Sequence, residues 1–254
     1  MVRLGQNFLA DPNLLAAIVR DAELGPDDVV LEVGAGEGVL TARLAEVAAH
    51  VHAIEIDRAL EPVLAPLAAR PGVDLHWGDA MKLDLAALDP APTAMVANLP
   101  YSVATPLILR TIEALPSVRR WTVMVQREIA DRLRAVPGSR VYGAPSVLVQ
   151  LACEVELLRA VDPAVFRPRP RVGSAILRLR RRGPGADAAT RWLVRAAFSH
   201  RRKALARSLE LSRPGSLGPA RAALAALGLA EDARAETLSP PQFAALAVRL
   251  RDRG

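Results

Sequence analysis

Apolar and polar positions fall into two rhythms along this chain. Short continuous apolar runs come first: Val29-Val30-Leu31-Glu32-Val33, residues 50–56, residues 73–77, Thr93-Ala94-Met95-Val96-Ala97 and residues 121–126. A run of that kind fits a strand buried on both faces, as in a parallel sheet. Between the runs, apolar residues recur three and four apart. Leu14, Leu15, Ile18 and Val19 do so in a segment ending near Ala22, and Leu40, Leu44 and Val47 do so after the first run. Asp11-Pro12 predicts the N-cap and first turn of that first helix. Residues 105–114, with Pro106 in the first turn, and 127–133 continue the helical rhythm. Residues 155–161 and 175–179 have no helical pattern between them and predict an antiparallel hairpin at the sheet edge. Beyond Gly183-Pro184-Gly185 the pattern is helical over about 188–199, 202–211, 218–227 and 240–250. The expected organisation is therefore an α/β domain over residues 1–183 and a small helical domain over 184–254.

Composition narrows the class. With 254 residues, 51% of them hydrophobic and 24% charged, the chain can bury a sizeable core. Its net charge of +6 is uneven. Residues 167–213 hold 14 Lys/Arg against two acids, a local excess of +12, so the remainder carries −6. One basic flank on an acidic body suggests a polyanion footprint, against the plainer reading of arginines on solvated helices. Cys153 is alone, which excludes a disulfide framework and a CxxC metal pair, and no metal site is expected. No uncharged apolar run is long enough to span a membrane, and Asp11 and Asp21 come too early for a signal peptide, so a cytoplasmic location is expected.

The chemistry concentrates where the apolar runs end. Gly34-Ala35-Gly36-Glu37-Gly38 follows the first run, the strand–glycine–helix order of a nucleotide-binding turn. The spacing is GxGxG, not the GxGxxG of dinucleotide sites, and Glu32 stands two residues before it. A carboxylate there repels pyrophosphate but suits a ligand bearing an ammonium and a sulfonium, which favours S-adenosylmethionine over NAD. Glu55, 21 residues after Gly34, can take both hydroxyls of a ribose, and Asp79 can accept from the amine of a bound adenine; each acid alone could also be a cap or a loop end. Asp57 reads as the cap of the next helix. The fourth run opens into Asn98-Leu99-Pro100-Tyr101. Asn98 offers an amide oxygen to an NH₂ group, Pro100 stiffens the loop, and Tyr101 offers a flat face to a base; the alternative is a strand-ending turn with Tyr101 packed on the core. Phe166, in the stiff segment Phe166-Arg167-Pro168-Arg169-Pro170-Arg171, is either an anchor or a second stacking face opposite Tyr101.

These stretches together resemble the ribosomal RNA adenine dimethyltransferases that modify the 3′-end hairpin of small-subunit (16S) rRNA. The resemblance runs end to end. It is carried by Gly5-Gln6-Asn7-Phe8-Leu9, Glu32 to Gly38, Ala53 to Asp57, Asn98 to Tyr101, Met124 to Leu133, Pro137 to Gly143, the Phe166 segment and Phe198-Ser199-His200-Arg201-Arg202-Lys203. A sister family, the large-subunit methylases of macrolide resistance, shares much of this. Pro137 to Gly143 and Arg201-Arg202-Lys203 resemble the small-subunit branch more closely. The resemblance implies a Rossmann-like class I S-adenosylmethionine-dependent methyltransferase sheet with a helical C-terminal domain. It implies cofactor contacts at Asn7, Leu9, Gly34, Glu55, Asp79 and Asn98, and a target adenine held by Asn98, the Pro100 carbonyl, Tyr101 and Phe166. The expected product is dimethyladenosine at two adjacent adenines within a 30S precursor, made by a monomer; a role chiefly in subunit assembly is the alternative from another class. Two departures stand out: Ser102-Val103-Ala104 replaces the family's usual Asn-Ile-Ser, and Ala206-Arg207-Ser208 replaces a common Arg-Asn-Ser.

Overall fold

The structure is a computed structural model and describes residues 8–9 and 11–251. It begins with a two-residue strand, β1 (Phe8–Leu9), and α1 (Pro12–Asp21). The Asp11 carboxylate caps α1 as expected, accepting from Asn13 N at 2.8 Å and Leu14 N at 3.0 Å. There follow β2 (Val29–Val33), α2 (Val39–Leu44), β3 (His50–Glu55), α3 (Glu61–Ala68), β4 (Val73–Trp77), β5 (Ala94–Asn98), α4 (Ala104–Ala114), β6 (Arg120–Gln126) and α5 (Arg127–Leu133). The remaining elements are α6 (Ala144–Ala152), β7 (Cys153–Val161), β8 (Phe166–Arg167), β9 (Ser174–Arg181), α7 (Ala188–Phe198), α8 (Leu205–Ser212), α9 (Leu217–Ala225) and α10 (Pro240–Arg251). Among the described residues no helix is long and apolar enough to cross a membrane.

Seven strands form one sheet in the order β4-β3-β2-β5-β6-β9-β7. The pairs β4–β3, β3–β2, β2–β5 and β5–β6 are parallel, and β9 runs antiparallel to β6. The strand order reverses direction between β2 and β5. In an open α/β sheet that switch point opens a crevice at the carboxyl ends of the strands. β2 is buried along its whole length, which explains its unbroken apolar pattern, and its one polar member, Glu32, is carried inside with it. Trp121, fully buried on β6, donates its ring N–H to Thr111 Oγ1 on α4 at 2.9 Å, and that hydroxyl donates to Ile108 O. The second, small sheet pairs β1 with β8, Leu9 against Phe166.

The chain divides into two compact units, 1–130 with 155–181, and 131–154 with 182–254. The sequence reading placed the boundary at 183/184; the contacts instead group Asp131–Glu154 with the later helices. The reason is α6, a helix the periodicity did not reveal. Ser146, Val147, Leu148, Val149 and Ala152 are all buried, so no polar face marks its period. Within this second unit Tyr142 is fully buried edge-on to Phe198, at 5.9 Å between ring centres, and Phe198 meets Phe243 at 5.7 Å. The Tyr142 hydroxyl donates to Leu238 O at 2.9 Å, and burial pushes its pKa up to about 12. The basic stretch 200–203 lies before α8, in a turn and not inside a helix.

Candidate active site

The turn after β2 is built from glycines with left-handed backbone: φ is +81° at Gly34, +57° at Gly36 and +78° at Gly38. Two of them serve different ends. A Cβ on Gly38 would lie 2.2 Å from Leu67 Cδ1 and 2.8 Å from Leu64 Cδ2, so this glycine lets α2 pack against α3. A Cβ on Gly34 would instead stand 3.6 Å from the Pro100 ring and 3.7 Å from Asn98 O. Gly34 thus brings the backbone of the turn against the loop after β5, across the switch point.

The three acids of the strand ends converge on that crevice. Glu55, 3% exposed at the end of β3, is held by three backbone amides: its Oε2 accepts from Gly36 N at 2.8 Å, and its Oε1 from Ile56 N and Asp57 N, each at 2.9 Å. The carboxylate is locked between its own loop and the glycine turn, with lone-pair capacity left for a further donor. Asp79 caps the turn after β4 through Oδ1, which accepts from Met81 N at 2.9 Å, while Oδ2 lies 3.9 Å from Lys82 Nζ. Asp57 accepts from Ala59 N at 3.0 Å and caps a short 3₁₀ turn before α3. Glu32 is the unusual member. It is 1% exposed, its Oε2 has no hydrogen-bond partner among the described residues, and neither has the buried Thr41 Oγ1 nearby. Burial pushes its pKa up to about 8; an approach of the Thr41 hydroxyl that falls short of hydrogen-bond geometry opposes this, and the Glu55 carboxylate adds to it.

The loop after β5 is fixed from both sides. Leu99 is buried and donates its N–H to Met124 O at 3.0 Å. Pro100 is exposed, and its carbonyl accepts from Val103 N at 3.2 Å, leaving one lone pair for a ligand. The Tyr101 hydroxyl is 3.0 Å from Ser174 Oγ on β9, which sets the ring's direction. Ser174 was not found by sequence reasoning: it sits at the start of an antiparallel strand, 73 residues away, with no motif to mark it. Ser102 and Val103, two of the residues that depart from the family pattern, line the same space, and Ala104 begins α4.

These residues enclose one cavity of about 270 Å³. Its walls include Leu9, Glu32, Gly34, Gly36, Glu55, Asp79, Asn98, Pro100 and Tyr101, with Ile56, Met81 and Leu107 adding apolar surface that the sequence reading did not include. Among the described residues the lining holds four carboxyl groups, Glu32, Glu37, Glu55 and Asp79, and no Lys or Arg. That balance selects for a cationic ligand and against a pyrophosphate. Asn7 lies outside the described residues. Phe166 is not in the lining: it pairs across β1–β8 with Leu9 and lies in the apolar cluster of Leu9, Leu15 and Ile18, where it is 2% exposed.

The cations of residues 167–213 are also more committed than their count suggests. Arg178 pairs with Glu23 at 3.0 Å and with Glu156 at 3.4 Å, and Arg180 pairs with Glu23 at 2.7 Å. Arg181 donates to Val118 O, Ile112 O and Leu115 O and lies over the Trp121 ring. In the second unit Arg182 pairs with Glu154, Arg213 stacks on Trp192 at 4.1 Å, and Arg201 donates to Arg140 O and Tyr142 O, each at 3.1 Å. Arg202 and Lys203 are exposed.

A profile of the family described as ribosomal RNA adenine dimethylase matches residues 2–252. The chain is 48% identical over 252 residues to a ribosomal RNA small subunit methyltransferase A from Rubrobacter xylanophilus, covering 98% of this chain and 94% of that one. A protein of the same name from Streptomyces griseus is 46% identical, covering 96% and 87%. Among solved structures, a dimethyladenosine transferase from Plasmodium falciparum superposes with a TM-score of 0.84 at 25% identity, over 97% of this chain and 98% of that one. The 23S rRNA methyltransferase ErmE gives 0.70 at 31% identity, over 96% and 100%. With a doubly wound sheet, an acidic cavity at its switch point and a profile match over nearly its whole length, the chain belongs to the ribosomal RNA adenine dimethylase family.

Proposed function

We propose that the protein methylates the exocyclic amines of two adjacent adenines in the 3′-terminal hairpin loop of 16S rRNA, giving dimethyladenosine in a 30S precursor, as a cytoplasmic monomer that uses S-adenosylmethionine. The observation that carries this reading is the cavity itself. A wall whose described charged residues are all acidic, including an unpartnered buried carboxyl at Glu32, faces the Asn98-Leu99-Pro100-Tyr101 loop within one space. The relatives named for the small subunit support that RNA as the substrate over large-subunit RNA.

S-adenosylmethionine, when bound, supplies a methyl group on a sulfonium, already activated toward a nucleophile. The chain supplies placement. Glu32 faces the cationic end of the ligand, Glu55 is locked by amides and so pre-set for ribose hydroxyls, and Asp79 keeps its Oδ2 for the adenine amine. Gly34 and Leu9 shape the wall, and Asn7 belongs with this set by family resemblance. For the target base, the Asn98 amide oxygen and the second lone pair of the Pro100 carbonyl accept from the incoming NH₂, which turns its remaining lone pair toward the methyl donor. Tyr101, held by Ser174, gives the base a face to stack on, worth ~1–3 kcal/mol. Phe166 would join it only if β8 left the β1 pairing. No strong general base is required, because the alkylated amine is acidic enough to lose its proton to water. The adenines must leave their stack to reach the cavity, which a hairpin loop makes cheap.

The test is transfer from labelled S-adenosylmethionine to separated small- and large-subunit particles of an unmethylated strain, with the product mapped. Dimethyladenosine in the small-subunit 3′ hairpin is the expected result. Label confined to large-subunit RNA reassigns the substrate, and particle binding without label makes the protein an assembly factor.

A further inference from the structure

Three of the chain's four histidines lie together, away from the cavity, on the strands β3 and β4. His50 and His52 are two apart on β3, Asp74 and His76 two apart on β4, and the parallel register sets His52 against Asp74 and Ile54 against His76. All four side chains therefore stand on one face of the sheet edge. His50 is five residues before Glu55 on the same strand, about 16 Å from it along β3.

The contacts assign the tautomer of His52. His52, 1% exposed in its side chain, has Nε2 at 2.8 Å from the Pro90 carbonyl oxygen. A carbonyl accepts only, so Nε2 carries the hydrogen and Nδ1 holds a lone pair. That nitrogen lies 3.1 Å from His76 Nε2 and 3.7 Å from Asp74 Oδ2, and the same Asp74 oxygen is 2.9 Å from His50 Nε2. The ligating atoms of His50, His52 and Asp74 lie within 4.8 Å of one another. Zinc–nitrogen bonds of ~2.0–2.1 Å at tetrahedral angles place two ligand atoms about 3.3 Å apart. The observed 2.9 and 3.7 Å separations within this group lie on either side of that edge length. A histidine whose other ring nitrogen donates to a backbone carbonyl is also the usual arrangement around a metal.

We propose that His50 Nε2, His52 Nδ1 and the Asp74 carboxylate form a binding site for one borderline divalent cation of the zinc class, with solvent in the fourth position, which ties the edge strand β4 to β3. Two imidazoles and one carboxylate suit zinc, cobalt or nickel better than magnesium or calcium. The cation takes the place of the hydrogen that His50 Nε2 shares with Asp74 and of the one that His76 Nε2 shares with His52 Nδ1; His50 then carries its ring hydrogen on Nδ1. The site is structural. The cation holds the strand carrying Trp77 and leading to Asp79.

The experiment uses the full chain, stripped with a chelator and titrated with cobalt(II) and then zinc(II). Expected is one equivalent of cobalt showing the strong visible absorption of a four-coordinate ion, displaced by zinc, with a higher unfolding temperature in the zinc form. In His50→Gln and in Asp74→Asn, both partly exposed positions whose metal-free unfolding can be compared directly with wild type, affinity should fall by about a hundredfold. Absence of four-coordinate cobalt absorption in the wild type overturns the proposal. So does equal zinc affinity in wild type and both variants, which would place any bound metal elsewhere, for instance at His200. Equal stabilisation by magnesium would do the same.

Discussion

Replacing Glu32 by Gln isolates the unpartnered carboxyl beneath the cavity. An unfolded glutamate loses its proton near 4.5, whereas the folded Glu32 keeps it to about 8. Between those values the folded state holds a proton that the unfolded state has released, so this residue's contribution to stability declines as pH rises through that window and is at its lowest above it. At about 1.4 kcal/mol per pH unit, the interval sets a ceiling of about 5 kcal/mol. Glutamine has nearly the same shape and no charge, so its stability should not share that decline. Urea unfolding of both proteins without cofactor, from about pH 5 to pH 9, should show the variant gaining on the wild type with each unit up to about pH 8 and levelling off beyond it. Taking the difference cancels every other titrating group. Cofactor binding should run the other way. A bound cation favours the ionised carboxyl, so wild-type affinity for S-adenosylmethionine should rise toward pH 8 with proton release, and the variant should bind more weakly with no such rise. A stability difference that stays level across the whole range would refute the reasoning, because it would mean Glu32 is ionised and solvated in the folded protein.

Asn98→Ala should lower methyl transfer by about 100-fold while leaving RNA affinity unchanged, measured by single-turnover transfer beside a binding titration; undiminished transfer would remove Asn98 from amine orientation. Gly38→Ala should cost about 1–3 kcal/mol in urea unfolding, since the site combines a φ of +78° with a Cβ 2.2 Å from Leu67 Cδ1. A loss within about 0.5 kcal/mol would show that α3 yields easily. Arg202→Ala with Lys203→Ala should weaken binding to the RNA hairpin and lower the magnitude of its salt slope by about 2. An unchanged slope would take the turn before α8 out of the RNA footprint. Arg201 is left intact in that variant because it holds the Arg140 and Tyr142 carbonyls.

The parts of the fold that the sequence disclosed are those where burial is one-sided or complete in a way periodicity records. β2 and β6 read as strands because apolar residues occupy both their inward and outward positions with few polar interruptions, and α1 reads as a helix because Asp11, Pro12 and one apolar stripe agree. The cavity residues were legible because they follow strand ends, which the topology gathers at the switch point. α6 was not legible, since a helix buried on all sides loses its polar phase. Phe166 had two open readings that only a strand pairing could separate, and the pairing with Leu9 took it into the core. The arginines of β9 show the limit of counting charge: Glu23 and Glu156, distant in sequence, neutralise what composition presents as free. The histidine cluster follows the same logic. Two pairs spaced by two residues are ordinary strand alternation until the register sets one beside the other. By contrast, two stretches quoted for the small-subunit branch, Pro137 to Gly143 and Arg201-Arg202-Lys203, prove to be one structural device, joined by Arg201 and by the burial of Tyr142.

The helical unit is interrupted in sequence: the chain enters it at 131, leaves at 155 and re-enters at 182. This bears on how such an enzyme could have arisen and how it can be recombined. A unit appended after a linker can be acquired by one fusion and lost by one stop codon. A unit whose helix α6 is encoded between two strands of the sheet can be neither. Joining residues 184–254 to another methyltransferase sheet would carry Phe198 and Phe243 without Tyr142, their aromatic neighbour. Exchange of the whole helical unit between relatives must therefore move two separated pieces of gene at once, which favours gradual divergence of a shared scaffold over the shuffling of modules.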